Sequence, residues 1–75
     1  KLSYKHHYAL ENLPKEIATI TAAIKQTEQK LATGDFYSKD PDGFNIATKE
    51  IEKLLSDLDT KEEQWLELEI LREET

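Results

Sequence analysis

The sequence predicts an all-α fold, an intramolecular antiparallel two-stranded coiled-coil hairpin with a short N-terminal helical segment before Pro14. Three observations predict it. Leu10, Leu13, Ile17, Ile20, Ile24, Thr27 and Leu31 advance in steps of three and four. Phe44, Ala47, Ile51, Leu54, Leu58, Lys61, Trp65 and Leu68 repeat those steps, and one Gly/Pro-rich stretch, Gly34 to Gly43, separates the two runs. A 3.5-residue repeat keeps one stripe facing a partner helix. Folding the chain at the breaker-rich stretch gives each stripe residue a partner: Leu31 with Phe44, Thr27 with Ala47, Ile24 with Ile51, Ile20 with Leu54, Ile17 with Leu58 and Leu10 with Trp65.

The elements follow in order. Ser3 is a candidate N-cap, because its hydroxyl can accept a bond from an otherwise unpaired amide of the first turn. A first segment is expected over about 4–13. Pro14 either opens a second helix, where its missing N–H costs nothing, or kinks a continuous one. The heptad phase carries through Leu10, Leu13 and Ile17, which favours two nearly collinear segments, the second over about 14–32. Gly34 is placed to end it in a left-handed conformation. The stretch 33–40 is expected to be a compact, ordered, non-helical loop with Phe36 and Tyr37 folded over the hairpin tip. Asp40-Pro41-Asp42 is a helix-start signal: a capping carboxylate, a proline at the first helical position and an acid at the positive dipole end. The last helix is expected over about 41–72, which makes the molecule a rod.

Two seam positions are irregular. Thr27 opposite Ala47 brings two small residues together and allows close approach, and Lys61 falls opposite the Leu13-Pro14 break, where its stem can lie on apolar surface. Toward the C-terminus, Trp65, Leu66, Leu68, Ile70 and Leu71 cover more than one face, so this helix wants a second partner. Leu2, Tyr4 and Tyr8 are expected to cover it. The alternative is an exposed docking patch at Trp65, Leu66, Ile70 and Leu71.

Composition narrows the function. Seventy-five residues allow one domain with a core near the lower limit for independent stability, and leave little room for catalytic machinery. The absence of cysteine excludes disulfides and thiolate metal sites. No apolar run approaches membrane-span length and no signal-peptide pattern is present, so a soluble, cytoplasmic setting without membrane contact is expected. The first residue is Lys1 rather than methionine, as expected of a piece of a longer protein. Net charge is −6. Residues 1–33 carry five Lys against three Glu, whereas residues 34–75 carry four Lys and Arg72 against thirteen acids. The two arms are therefore expected to attract each other along their flanks.

The chemistry-bearing residues form no catalytic or metal motif. Gly34 and Gly43 are the only glycines, which rules out a phosphate-binding loop. Ser38 to Lys49 has Asp40, Asp42 and Gly43 where a calcium loop needs them, but Ser38 and Lys49 occupy its first and twelfth ligand places. Helix capping explains those acids. His6 and His7 are adjacent and point about 100° apart on a helix, the wrong spacing for a shared metal. Glu62, Glu63, Glu67, Glu69, Glu73 and Glu74 form a solvated acidic face. Lys1, Lys5, Lys15, Lys25 and Lys30 are the concentration of positive charge able to meet phosphates, though not all on one helical face.

Three pieces carry a family resemblance: Lys1-Leu2-Ser3-Tyr4-Lys5 followed by Leu13-Pro14; Asp35-Phe36-Tyr37 with Asp40-Pro41 and Phe44; and Trp65-Leu66-Glu67-Leu68-Glu69. In this order they resemble the C-terminal domain of Uup-type ABC-F ATPases over nearly the whole chain. The resemblance implies a single domain, 1–75, at the tail of a soluble bacterial protein with two ATP-binding cassettes, which act at the ribosome and hold the ATP and Mg; the domain itself holds no cofactor. It also implies DNA binding by the coiled coil. The leading expectation is therefore a non-catalytic, monomeric module contacting DNA or structured RNA through Lys1, Lys5, Lys15, Lys25 and Lys30. The alternative is a structural hairpin that docks on the parent's own cassettes, or on ribosomal protein or RNA.

Overall fold

The computed structural model describes residues 2–74. It is a hairpin of two long helices, α1 (Tyr4–Leu31) and α3 (Pro41–Glu74), with a single helical turn, α2 (Phe36–Lys39), at the tip. The hairpin measures 55 × 16 × 14 Å, with a radius of gyration of 16.8 Å. A globule of this length would have a radius of about 11 Å, so the chain is a rod.

Helix α1 starts at a reciprocal cap. The Ser3 hydroxyl accepts a bond from the His6 amide, and the Ser3 amide donates to His6 Nδ1, both at 3.3 Å. This is the capping-box arrangement with His6 in the place usually taken by Glu or Gln. His6 thus has a structural role that its sequence context left unassigned.

The helix then runs without interruption through Pro14. This settles the choice between two segments and one continuous helix in favour of the latter. Proline removes one backbone donor and crowds the preceding turn, a local cost of about 3 kcal/mol. Packing outweighs it, because Leu13 is 5% exposed and Ile17 is half-buried on the same stripe.

The tip corrects two expectations. Ala32 ends α1 in right-handed α geometry, its amide donating to the Glu28 carbonyl, and Gly34 does not have a positive φ. The chain needs no left-handed residue because it coils on in the same sense into α2. Phe36–Lys39, expected to be non-helical, forms that helical turn: the Asp35 carboxylate pairs with Lys39 at 2.8 Å, and the Phe36 and Tyr37 rings lie edge-on to Phe44 at 5.6 and 5.1 Å. Helix α3 opens as its start signal requires, the Asp40 carboxylate accepting from the Gly43 amide at 3.0 Å.

The seam is the stripe read in the sequence. Leu13, Ile24 and Ala47 are buried, and Leu10, Ile17, Ile20, Thr27, Leu31, Phe44, Ile51, Leu54, Leu58, Lys61, Trp65 and Leu68 are half-buried. Ala47 is the most buried at 4%, as expected where small residues let the helices approach. Thr27 hides its hydroxyl by donating to the Ala23 carbonyl at 2.9 Å, so it adds no unpaired polar atom to the seam. Lys61 reaches across α1 to Glu16, with 2.8 Å between ammonium and carboxylate.

Candidate interaction surface

The five lysines are the first candidates for a binding surface. Lys1 lies outside the described residues. Lys5, Lys15, Lys25 and Lys30 are all exposed on α1. At about 100° per residue, Lys5 and Lys30 share a bearing to within about 20°, Lys15 lies within about 80° of them, and Lys25 points about 140° from Lys30. The fold therefore brings three lysines to one flank of α1 and turns the fourth to the other. Lys5 and Lys30 are about 37 Å apart along the helix at 1.5 Å per residue. Lys30 is also engaged at the tip, where its ammonium lies 5.7 Å from the centre of the Phe36 ring.

Apolar side chains gather at the open end of the hairpin. Trp65 and Leu71 are half-buried, but Leu66 is 55% and Ile70 52% exposed. The tyrosines expected to cover them do not: Tyr4 is 83% and Tyr8 58% exposed, and the two rings lean on each other with centroids 6.4 Å apart. The reason is phase. Tyr4 and Tyr8 stand roughly opposite Leu13 around α1, on its back, while Leu2 is half-buried. The second partner expected from within the chain is thus not supplied by the tyrosines.

Two grooves run beside the seam at this end. One, about 550 Å³, has Lys5, His6 and Glu16 of α1 facing Lys61, Gln64 and Glu67 of α3 over a floor that includes Leu13 and Leu68. Its charged walls are partly closed by the Lys61–Glu16 pair. The other, about 440 Å³, is lined by Pro14, Ile17, Trp65, Leu66 and Glu62. It places Trp65 beside Pro14 and Ile17, further along α1 than the expected partner Leu10. No group of three or more His, Asp or Glu among the described residues is arranged to hold a metal ion.

Sequence reasoning did not single out Leu55, 49% exposed on α3. The signal was available, since Leu55 stands off the heptad phase kept by Leu54 and Leu58. Eleven residues separate Leu55 from Leu66 and four separate Leu66 from Ile70, so the three lie along one side of α3.

Residues 1–69 match the model of the ABC transporter C-terminal domain. The chain belongs to that family. No curated protein sequence and no solved structure matches it. As an ABC transporter C-terminal domain it is part of an ABC protein, and its open end carries an uncovered apolar flank on α3. None of the helices among the described residues is long and apolar enough to cross a membrane.

Proposed function

We propose that this ABC transporter C-terminal domain is a non-catalytic docking arm, a rigid rod whose open end packs on the ATP-binding cassettes of its ABC protein. The observation that carries the reading is the exposure of Leu66 and Ile70 next to half-buried Trp65, with Tyr4 and Tyr8 turned away. A soluble monomeric domain gains nothing from apolar side chains held in water, and contiguous exposed apolar surface marks an interaction site. The parent is a cytoplasmic ATPase of the Uup-type ABC-F class, whose cassettes hold ATP and Mg. The test is to titrate the parent's cassettes, cut off before this domain, with the isolated domain while following Trp65 emission. Saturable binding at about micromolar concentrations is expected. Cassettes that fail to bind, or bind equally well to a domain with Leu66→Gln and Ile70→Gln, would overturn the reading.

One further observation favours a second role in nucleic-acid contact. Lys5, Lys15 and Lys30 share the flank of α1 away from Leu66 and the acids beside it, with Lys5 facing Glu67 across the groove, which lets the rod lie along phosphates of DNA or of structured ribosomal RNA despite its net charge of −6. Each neutralised phosphate steepens the fall of affinity with salt, so duplex DNA titrated at low and moderate salt should show a log–log slope of about −0.9 per phosphate engaged. Replacing all three lysines by glutamine should remove binding. Equal binding by the triple variant would refute this role.

A further inference from the structure

The docking reading leaves the chemistry of the partner open, and the flank itself supplies it. Leu55, Leu66 and Ile70 share one side of α3 over about 22 Å at 1.5 Å per residue, with Asp59, Glu62 and Glu63 on that side between the first two. At Leu66, about three quarters of the way along, this side meets the groove in which Pro14 and Ile17 of α1 face Trp65 and Leu66. On α1, Ala18 and Thr21 follow Pro14 and Ile17 at four-residue steps, so the helix wall beside the groove continues with small side chains. A short apolar groove between two helices that opens onto exposed Leu66 and Ile70 is the kind of seat that helix-in-groove recognition uses.

Charge then decides between occupants. Taking about 100° per residue, Glu52, Asp59, Glu62, Glu63, Glu69 and Glu73 all lie within about 60° of the bearing of Leu66 on α3, whereas Lys49, Lys53 and Lys61 lie about 100° or more away. Glu69 is paired with Arg72. Lys25 stands on the α1 side of this flank, nearer the tip. An acidic rim of this kind repels a second copy of itself, the phosphates of nucleic acid and the anionic surface of a lipid leaflet. It complements a cationic partner whose apolar residues recur at helical spacing.

Resting on the docking reading, we infer that this flank binds a basic amphipathic helix, which lays its apolar face along Leu55, Leu66 and Ile70 and its Lys or Arg residues against the acids beside them. The surface of the cassettes that receives the arm is then a helix of that chemistry. The probe is a fluorescein-labelled Leu/Lys peptide of about 18 residues, ~27 Å long when helical. Its control has the same composition in an order that breaks amphipathicity. Peptide anisotropy and Trp65 emission are followed with the 75-residue chain.

The ordered peptide should bind and shift Trp65 emission, and the control peptide should bind at least tenfold more weakly. Leu66→Gln with Ile70→Gln should weaken binding of the ordered peptide at least tenfold, while Ile46→Gln, still more exposed but on the opposite flank, should leave it unchanged. Glu62→Gln with Glu63→Gln should weaken binding and flatten its salt dependence. Equal binding of both peptides, or an unaltered affinity for the Leu66/Ile70 variant, overturns the inference. These positions are exposed, so loss of fold does not confound the result; helicity by circular dichroism checks it. If the cassettes bind through Leu66 and Ile70 but the peptide does not, the inference fails and the docking reading stands. If the peptide binds and the cassettes do not, the docking reading fails.

Discussion

Replacing Pro14 by alanine distinguishes a continuous helix from two abutting ones, because the two predict opposite signs. In the continuous α1, Pro14 lacks the N–H that would donate to the Leu10 carbonyl, and its ring crowds that turn; relative to alanine this costs about 3 kcal/mol in a helix interior. Two terms oppose the gain. Alanine gives the unfolded chain more freedom, about 0.4–1 kcal/mol. The Pro14 ring also lines the groove with Ile17, Trp65 and Leu66, and at about 25 cal/mol per Å² the burial that an exposed ring gives up on truncation is under about 1 kcal/mol. The balance is a stabilisation of about 1–2.6 kcal/mol. For a domain of this length each kcal/mol moves Tm by about 4–8 °C, so Pro14→Ala should melt about 4–21 °C higher by far-UV circular dichroism. Were Pro14 instead the first residue of a second helix, its missing donor would cost nothing and only the unfolded-state term would survive, lowering Tm. An unchanged or lower Tm would therefore refute the continuous helix and the packing argument built on it.

Other substitutions test the seam and the tip. Leu13→Ala removes one of three buried core residues and should cost about 2–4 kcal/mol, a large share of the ~4–11 kcal/mol expected for a chain of this length, whereas Leu55→Ala should stay within about 0.5 kcal/mol; urea titration of both separates them. Lys61→Met should be neutral or stabilising by up to about 1 kcal/mol, since the pair with Glu16 is partly exposed and the methionine fills the seam; a loss above about 1 kcal/mol would show that the pair matters more than its exposure implies. Gly34→Ala should raise stability by about 0.4–1 kcal/mol, because φ is not positive and an added methyl meets open space. Gly43→Ala should fall short of that gain. Its methyl would displace the Asp40 carboxylate that accepts from the residue 43 amide, and losing this cap offsets the ~1 kcal/mol of helix propensity gained.

The periodic part of the molecule was legible because burial follows period here: the three buried residues, Leu13, Ile24 and Ala47, all lie on the 3.5-residue stripe that faces the other helix. Ile24 and Ala47 were readable on that ground, and so was the outward bearing of Tyr4 and Tyr8, had their phase been weighed above their nearness to the C-terminal end. Pro14 was not readable in this way. Its local penalty is visible in sequence, but the packing of Leu13 and Ile17 that overrides it is a property of both helices together. The tip failed for a similar reason: glycine and aspartate read as breakers until Asp35–Lys39 and the three aromatic rings are seen to hold one turn of helix in place.

The charge asymmetry shows how far sequence reasoning carried toward function. A basic α1 and an acidic α3 imply attraction across the seam, yet the ion pair that crosses it among the described residues joins them the other way, Lys61 of α3 to Glu16 of α1. Glu67 faces α1 across a groove, but several of the acids that give residues 34–75 their surplus are not directed at α1. Glu62, Glu63 and Glu73 are exposed, and they lie on the side of α3 that also carries Leu66 and Ile70. Holding like charges together in this way destabilises an isolated hairpin by a few tenths of a kcal/mol per close pair. The arrangement becomes favourable when cations are laid against the same flank, which is why the outward acids and the uncovered apolar stripe point to one partner rather than to two unrelated features.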